Sequence, residues 1–576
     1  MKRLQYLVLI VTLSLGHTLF AAHPQKVLGP GPGSANFRQP YHQAGNLTLY
    51  SDTTYLLTGW YFVDSLATLT IQPGTLILGD SASAGTLIIS RGAKIKAEGT
   101  ATAPIVFTSA KSPGQRRPGD WGGVIILGSA PTNKPTTQQI EGGFGTIPNT
   151  NAFYGGANPN DSSGVLRYVR IEFAGAVFAQ DNEINGLTLG GVGNKTVIRY
   201  VQVSFANDDD FEFFGGTVDA KYLVSWRNLD DNFDTDFGYS GRIQFAFVKR
   251  DSSIFDASAS GSSNGFESDN EGSSPFTATP RTNARISNVT LIGPAWDSTE
   301  ALRLNSKWSY AAMIRRASEF SIYNSILCGY KNGINLRDSL TQLAAHEGRL
   351  EIRNTSLAAI SNIVVTSSSP AAGVPTGFNV KKWFADGNNS DTTARTAWAV
   401  GLRQQAFILG PTIDPRPLPS SEAAIAGTAY NVGRLAGDSW FTQVPYRGAF
   451  DPSTPISAQW TAGWVNFDPQ NTDYSQGSTS VVDFAETVPS HFELKQNYPN
   501  PFNPTTTIGF YLPQAEKIQL TVYNVLGQKV ATLAEGTYAA GQHYINFHAQ
   551  HLASGLYFYT LSTPTTSITK KMLLTK

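Results

Sequence analysis

The chain has 576 residues, 43 Lys and Arg against 43 Asp and Glu, a formal net charge of zero and one cysteine. Charged residues make up 15%, against about 25% in an ordinary soluble domain, and the 54 glycines suit an all-β chain with many turns. Neutrality excludes nucleic acid as a partner, because phosphate binding needs a basic surface, and a single cysteine excludes an internal disulfide.

The chain opens with Lys2 and Arg3, an apolar run from Leu4 to about Leu15, and the small residues Ala21 and Ala22. This reads as a signal peptide over 1–22. The run is too short to cross a membrane stably, and no later segment reads as a transmembrane helix. Residues 23–44 read as an N-terminal extension.

From residue 45 to about 370 the chain is a series of short, β-branched runs broken by Gly, Pro and Ser, such as LTIQPGTLILG (69–79), APIVFTSA (103–110) and GDWGGVIILGSA (119–130). Helical periodicity is missing. After residue 165 the runs repeat. One row of strands reads YVRIEF (168–173), YVQVSF (200–205), YLVSW (222–226) and QFAFV (244–248), then ISNVTL (286–291), IYNSIL (322–327) and IRNTSL (352–357). Asn288, Asn324 and Asn354 recur in the last three and predict an amide ladder between coils. A second row reads GLTL (186–189), FEF (211–213), FDT (233–235), GFES (265–268), ALRL (301–304) and GINL (333–336). Coils of about 22 residues with two or three strands each predict a right-handed parallel β-helix, a solenoid. Cys328, in the apolar run SIYNSILCGY, reads as a core thiol with no base beside it.

Charge concentrates in one stretch. Between Asn207 and Phe237 stand nine acids, Asp208, Asp209, Asp210, Glu212, Asp219, Asp230, Asp231, Asp234 and Asp236, opposed only by Lys221 and Arg227. If Phe211, Phe233 and Phe266 point inward and stack, then Glu212, Asp234 and Glu267 point outward on successive coils, with Arg303 and Asn335 continuing the line and Asp269 flanking it. Coils lie ~4.8 Å apart, where two like charges repel by ~3 kcal/mol at an effective dielectric near 20. Stacked carboxylates therefore call for a cation, a basic neighbour or a raised pKa. Asp208, Asp209, Asp210, Glu212, Asp230, Asp231, Asp234, Asp236, Glu267 and Asp269 are the candidate Ca²⁺ ligands, since calcium takes six to eight oxygens. The plainer alternative is that Asp and Asn cap the turns and Arg227, Arg303 or Lys221 offsets the charge. A third is catalysis on a glycosidic bond, with Glu212, Asp234 and Glu267 as carboxyl groups and Lys221 or Arg303 as base. Trp226, Trp296 and Trp308 could stack on sugar rings if exposed, although core positions suit them better.

Residues 371–468 are less regular. KKWFADGNNSDTTARTAWAVGLRQQ (381–405) suggests a short helix, and FTQVPYRGAFDP and WTAGWVNFDPQ (441–469) read as an aromatic segment that caps the open end of the solenoid. The motifs GDWGGVIILG, GVLRYVRIEFAG, DFEFFGGTVDAKYLVSWR, DDNFDTDFGYSG and NGFESDN resemble a family of secreted bacterial β-helix proteins of unassigned biochemistry. The resemblance covers about 45–470, and it implies fold and secretion but no reaction.

A linker rich in Ser, Thr, Asp and Gln spans 469–489. Over 490–576, Ile508, Phe510 and Leu512 alternate, as do Ile518, Leu520 and Val522, around a turn at Asn524–Gly527. This predicts a small immunoglobulin-like β-sandwich. QNYPNPFNPTT, VYNVLGQ and LASGLYFY are similar to the C-terminal sorting domain of the type IX (Por) secretion system. That implies recognition by the type IX machinery through 490–576 and export by way of the periplasm to the cell surface or beyond. The whole chain reads as an exported binding or structural β-helix, gripping polysaccharide or a surface and stabilised by Ca²⁺. The alternative is a polysaccharide lyase or glycosidase using the acidic ladder.

Overall fold

The computed structural model describes residues 23–575 apart from 33–38, 143, 145–151, 180–181, 259–260, 367–373, 375–377, 390–395, 426, 476–491, 498–499 and 539–540. The expected signal peptide and most of the expected linker lie outside the described residues. The chain divides into two units, 1–482 and 483–576.

The first unit is a parallel β-helix. Apart from an antiparallel pair, Val177–Ala179 with Asn182–Glu183, its described strands fall into two stacks, one of 16 strands and one of 11, and every neighbouring pair in both stacks is parallel. Stacking begins before residue 45: Gln25–Leu28 pairs with Thr54–Leu57, and Tyr41–Gln43 with Tyr61–Val63. The early coils carry three short strands each, for example Thr54–Leu57, Trp60–Val63 and Thr68–Ile71. From Gly164–Glu172 to Arg285–Ile292 two of the three merge into one long strand, the first of which pairs with Lys94–Glu98 along its first half and with Ile105–Ser109 along its second; in the last two coils it divides again, at Asn324 and Asn354.

The merged strand turns its corner at a residue in the left-handed region. Tyr168, Tyr200, Tyr222, Phe245, Asn288, Asn324 and Asn354 all hold φ between 50° and 63°. Aromatic stacking offsets the backbone cost at the first four. The ring centroids lie 4.4 Å apart for Tyr168–Tyr200, 4.5 Å for Tyr200–Tyr222 and 5.2 Å for Tyr222–Phe245. Asparagine, which tolerates this conformation best after glycine, takes the other three. The asparagines are therefore stacked in position, but their amides do not form the expected ladder. The Asn324 Nδ2 donates to Ser287 Oγ (3.1 Å), its Oδ1 accepts from the Ala429 N–H (2.6 Å), and the Asn288 Nδ2 donates to the Tyr446 carbonyl (3.1 Å).

The segment after residue 427 supplies Ala429 and Tyr446 and corrects a second expectation. It runs along the side of the long-strand stack instead of closing its end. Gln244 donates to the Thr442 carbonyl (2.7 Å) and accepts from its N–H (2.8 Å), and Gln202 does the same with Asn466 (2.6 and 2.9 Å). Phe173, Phe205, Trp226 and Phe247 on the sheet pack with Phe450, Trp464 and Phe467 of the strap. The strap is tied down to Tyr474, whose hydroxyl donates to Glu172, while Arg116 donates to the carbonyls of Pro469 (2.7 Å) and Thr472 (2.8 Å). At the end of the solenoid the helix Val380–Asp386 packs Phe384 against the main core.

Trp226, Trp308 and Cys328 are fully buried, which removes both tryptophans as exposed sugar platforms. Burial pushes the Cys328 thiol up to about 12, so it is inert. The second unit is a sandwich of two antiparallel sheets. One holds Glu493–Leu494, Thr505–Leu512 and Gly541–His548, and the other Lys529–Tyr538, Glu516–Asn524, Gly555–Ser562 and Ser567–Leu574. The alternating residues Ile508, Phe510, Leu512, Ile518, Leu520 and Val522 form its core.

Candidate functional site

The acidic stretch sits on the 11-strand stack. In register, Thr188, Glu212, Asp234, Glu267, Met313 and Asn335 form one vertical row. The inward neighbours Phe211, Phe233 and Phe266 are buried and stacked, with centroids 5.1 and 5.6 Å apart. Their packing fixes the pleat and so fixes the carboxylates outward.

Arg303 is absent from this row. The run ALRL reads as a strand, but Ser298–Arg303 is a helix whose first turn is capped by Asp297, and Arg303 is exposed on it. The strand of that coil is Tyr310–Ile314, so the residue on the line is Met313. Lys221 also lies elsewhere. Its strand belongs to the 16-strand stack, and its ammonium donates to the Trp440 carbonyl (2.7 Å) and Thr442 Oγ1 (3.0 Å) of the strap. Burial pushes it down to about 8. Arg227 pairs with Asp251 at 2.5 Å. None of these three bases faces the row.

A groove of about 1000 Å³ opens over the row. Among the described residues ten carboxylates line it, those of Glu141, Glu183, Asp208, Asp209, Glu212, Asp230, Asp231, Asp234, Asp256 and Glu267, together with the cations Arg315 and Arg337. Arg315 donates through Nε to Asp269 (2.7 Å) and pairs with Glu267, while Arg316 pairs with Asp269 at 2.5 Å. Asp269 is thus tied into ion pairs beside the groove. Asp210 turns inward, fully buried, and accepts from Ser225 Oγ. Asp236 accepts from the Phe237 N–H at 2.6 Å. These three expected ligands do not line the groove, and the other seven do.

Two of the turn acids bond to the next coil. Asp209 Oδ1 accepts from the Asp231 N–H (2.8 Å), and Asp231 Oδ1 accepts from the Asn264 N–H (2.5 Å). From behind, Arg250 donates to Asn228 Oδ1 (2.7 Å) and the Leu229 carbonyl (3.0 Å), with its guanidinium 4.6 Å from the centre of the Trp308 ring. Asp230 Oδ1 and Asp234 Oδ1 are buried atoms with no hydrogen-bond partner. Carboxylate oxygens of Asp208, Asp209 and Asp230 lie within 4.8 Å of one another, and so do those of Asp209, Glu212 and Asp234. Burial and the crowd of like charges push Asp208, Asp209, Glu212, Asp230, Asp234 and Glu267 well above the usual carboxylate range, and burial lifts Asp231 to about 6. Oxygen-rich triads holding unpartnered buried oxygens fit a hard divalent cation.

Sequence reasoning missed Glu141, Glu183, Asn185, Asp256, Arg315 and Arg337. Glu141 lies in the long connection between Gly123–Leu127 and Gly164–Glu172, outside both repeats, yet Asn185 Nδ2 joins it (2.9 Å) to the site and also donates to Glu212. No spacing announces such a residue. Arg315 was findable only by placing the Tyr310–Ile314 rung correctly.

Residues 41–403 match the family described as a pectate-lyase-like β-helix domain. The chain belongs to that family. Residues 496–575 match the secretion system C-terminal sorting domain. The pectate-lyase-like β-helix is therefore exported by the type IX system to the cell surface or released beyond it. Among the described residues no helix is long and apolar enough to cross a membrane. No curated protein and no solved structure matches the chain.

Proposed function

We propose that the acidic groove binds divalent cations, Ca²⁺ foremost, and that the cation-loaded groove is where this exported β-helix grips a polysaccharide. One observation carries the reading. Among the described residues ten groove carboxylates face two arginines, Arg315 and Arg337, and two buried carboxylate oxygens, Asp230 Oδ1 and Asp234 Oδ1, lack any donor. A cation is the missing partner, with Asp209, Glu212, Asp234, Asp208 and Asp230 as ligands. A bound ion would also offer open coordination positions to sugar hydroxyls or carboxylates.

The test compares melting temperature in Ca²⁺ and in EGTA. We expect a rise of several degrees with Ca²⁺, largely lost in Asp209→Asn and Asp234→Asn; no difference between the two buffers would remove the reading. Glycan binding measured in the same two buffers should follow the ion.

The family match favours a second reading, a polysaccharide lyase. Lys221 and Arg303 lie away from the groove, so on this reading the base is sought among its lining residues, Arg315 and Arg337. The same glycan panel distinguishes the readings, because a lyase releases unsaturated products that absorb in the ultraviolet, whereas a binding module leaves the chains intact.

A further inference from the structure

The sorting domain buries its apolar residues well, with four exceptions. Val525 (63% exposed), Leu526 (79%), Leu556 (38%) and Leu573 (39%) are the exposed large hydrophobics among the described residues of 483–576. The sheet register brings them together. Leu556 is opposite Leu573, and Asn524 is opposite Tyr557, which sets Val525 level with Leu556 at the same end of the sheet. Half-buried Tyr523 and Phe558, also opposite one another, continue the same outer face. Lys529 and Lys571 are exposed beside it.

The hairpin that carries the tip is held firmly. The Asn524 carboxamide oxygen accepts from the Leu526 and Gln528 N–H groups (both 3.0 Å), and the Gly527 N–H bonds back to the Asn524 carbonyl (3.0 Å). Gly527 holds φ at +75°, which a side chain would resist. Beside Leu573 the strand edge is closed by Phe502, whose N–H donates to the Leu573 carbonyl at 2.9 Å. The feature is therefore a fixed apolar face and not a free strand edge awaiting another strand. A rigid apolar face with cationic neighbours, on a domain whose task is to be recognised, suits a partner with an apolar groove and carboxylates at its rim.

We propose that Val525, Leu526, Leu556 and Leu573 form the surface by which a protein of the type IX machinery grips this domain. The inference is independent of the groove on the β-helix.

The experiment expresses the full chain in a type IX-competent host and measures the exported and periplasmic fractions. The variants are Val525→Ser/Leu526→Ser and Leu556→Ser/Leu573→Ser, with Thr565→Ala, in the exposed turn at the other end of the sheet, as control. Loss of two such apolar anchors from the interface with the partner is expected to lower export about tenfold, with Thr565→Ala unchanged and the melting curve of the purified double variants retained. Leu526→Glu and Leu526→Lys guard against misfolding, because that side chain lies on an exposed turn. Glu should lower export more than Lys if the partner's rim is acidic. Wild-type export of both double variants, or equal loss in the control, would overturn the assignment. So would equal effects of Glu and Lys, or a wild-type dimer that the double variants convert to monomer, which would assign the face to a second copy.

Discussion

Asp234 illustrates the unusual demand of this site. Its Oδ1 is buried without a donor, and its neighbours above and below in the row are Glu267 and Glu212. A carboxyl buried among its own kind resists ionisation, so its folded pKa lies above its unfolded value near 4. Its contribution to stability is complete below the unfolded value and is lost as pH rises through the folded one. Asp231, lifted to about 6, places that loss from pH 4 upward to at least 6, and Asp209 and Asp234, raised in the same direction by burial and like charge, add to it. In EGTA, the melting temperature of the β-helix should fall as pH is raised from 4.5 to 7.5, and Asp234→Asn should flatten the decline. Saturating Ca²⁺ should reverse the slope, because a metal takes the ionised form. A calorimetric series across that range checks both, and a melting temperature that climbs with pH in EGTA would contradict the raised values. At this scale the sequence was informative where side chains repeat. Glu212, Asp234 and Glu267 could be aligned because Phe211, Phe233 and Phe266 recur beside them. Glu141 and Asp256 could not, because the connections that carry them have no period.

The element that most shapes the solenoid is the corner residue of the long strands. The sequence displays it as I-x-N-x-x-L, and the reason for the asparagine is conformational, since Asn288, Asn324 and Asn354 sit at φ of 57°, 50° and 51°. Its side chain then does a second task, joining the strap to the sheet. Asn324→Ala should lose both. The left-handed backbone costs ~1–2 kcal/mol for a residue with Cβ and no compensating bond, and each hydrogen bond lost, to Ser287 and to Ala429, costs ~1 kcal/mol. Asn324→Gly keeps the backbone and loses the bonds. Urea denaturation should therefore rank wild type above Asn324→Gly and Asn324→Ala lowest, whereas equal stability of the two variants would mean that the backbone conformation costs nothing here. The strap was harder to foresee. Its segments 441–469 are visibly aromatic, but whether an aromatic segment closes an end or covers a flank depends on what the sheet presents to it. Gln202 and Gln244, which bond the strap as a strand would, reveal that only once their strands are known to be adjacent. The rung at Tyr310–Ile314 was misplaced for a related reason. Residues 301–304 have the right composition for a strand, but Asp297 caps a helical turn there.

Across the whole molecule, two architectures divide the labour without sharing a core. The β-helix closes its own hydrophobic core and is strapped down to Tyr474, while the sandwich has a separate core of its own. Both were legible in the sequence, since a solenoid repeats itself and a sandwich alternates. A chain built this way should tolerate removal of its second unit without losing the first. Ending the protein after residue 482 should leave a folded β-helix, because no described residue beyond Val482 belongs to its cores. Its Ca²⁺-dependent melting should match that of the full chain. What the truncation loses is its address. The body should collect in the periplasm, since the matched sorting domain, 496–575, is gone. Fractionation with antibody to the β-helix measures this directly, and protease resistance of the trapped material separates a retained, folded body from one degraded for failing to fold. Export of the truncation at the wild-type level would place the export signal in the β-helix itself.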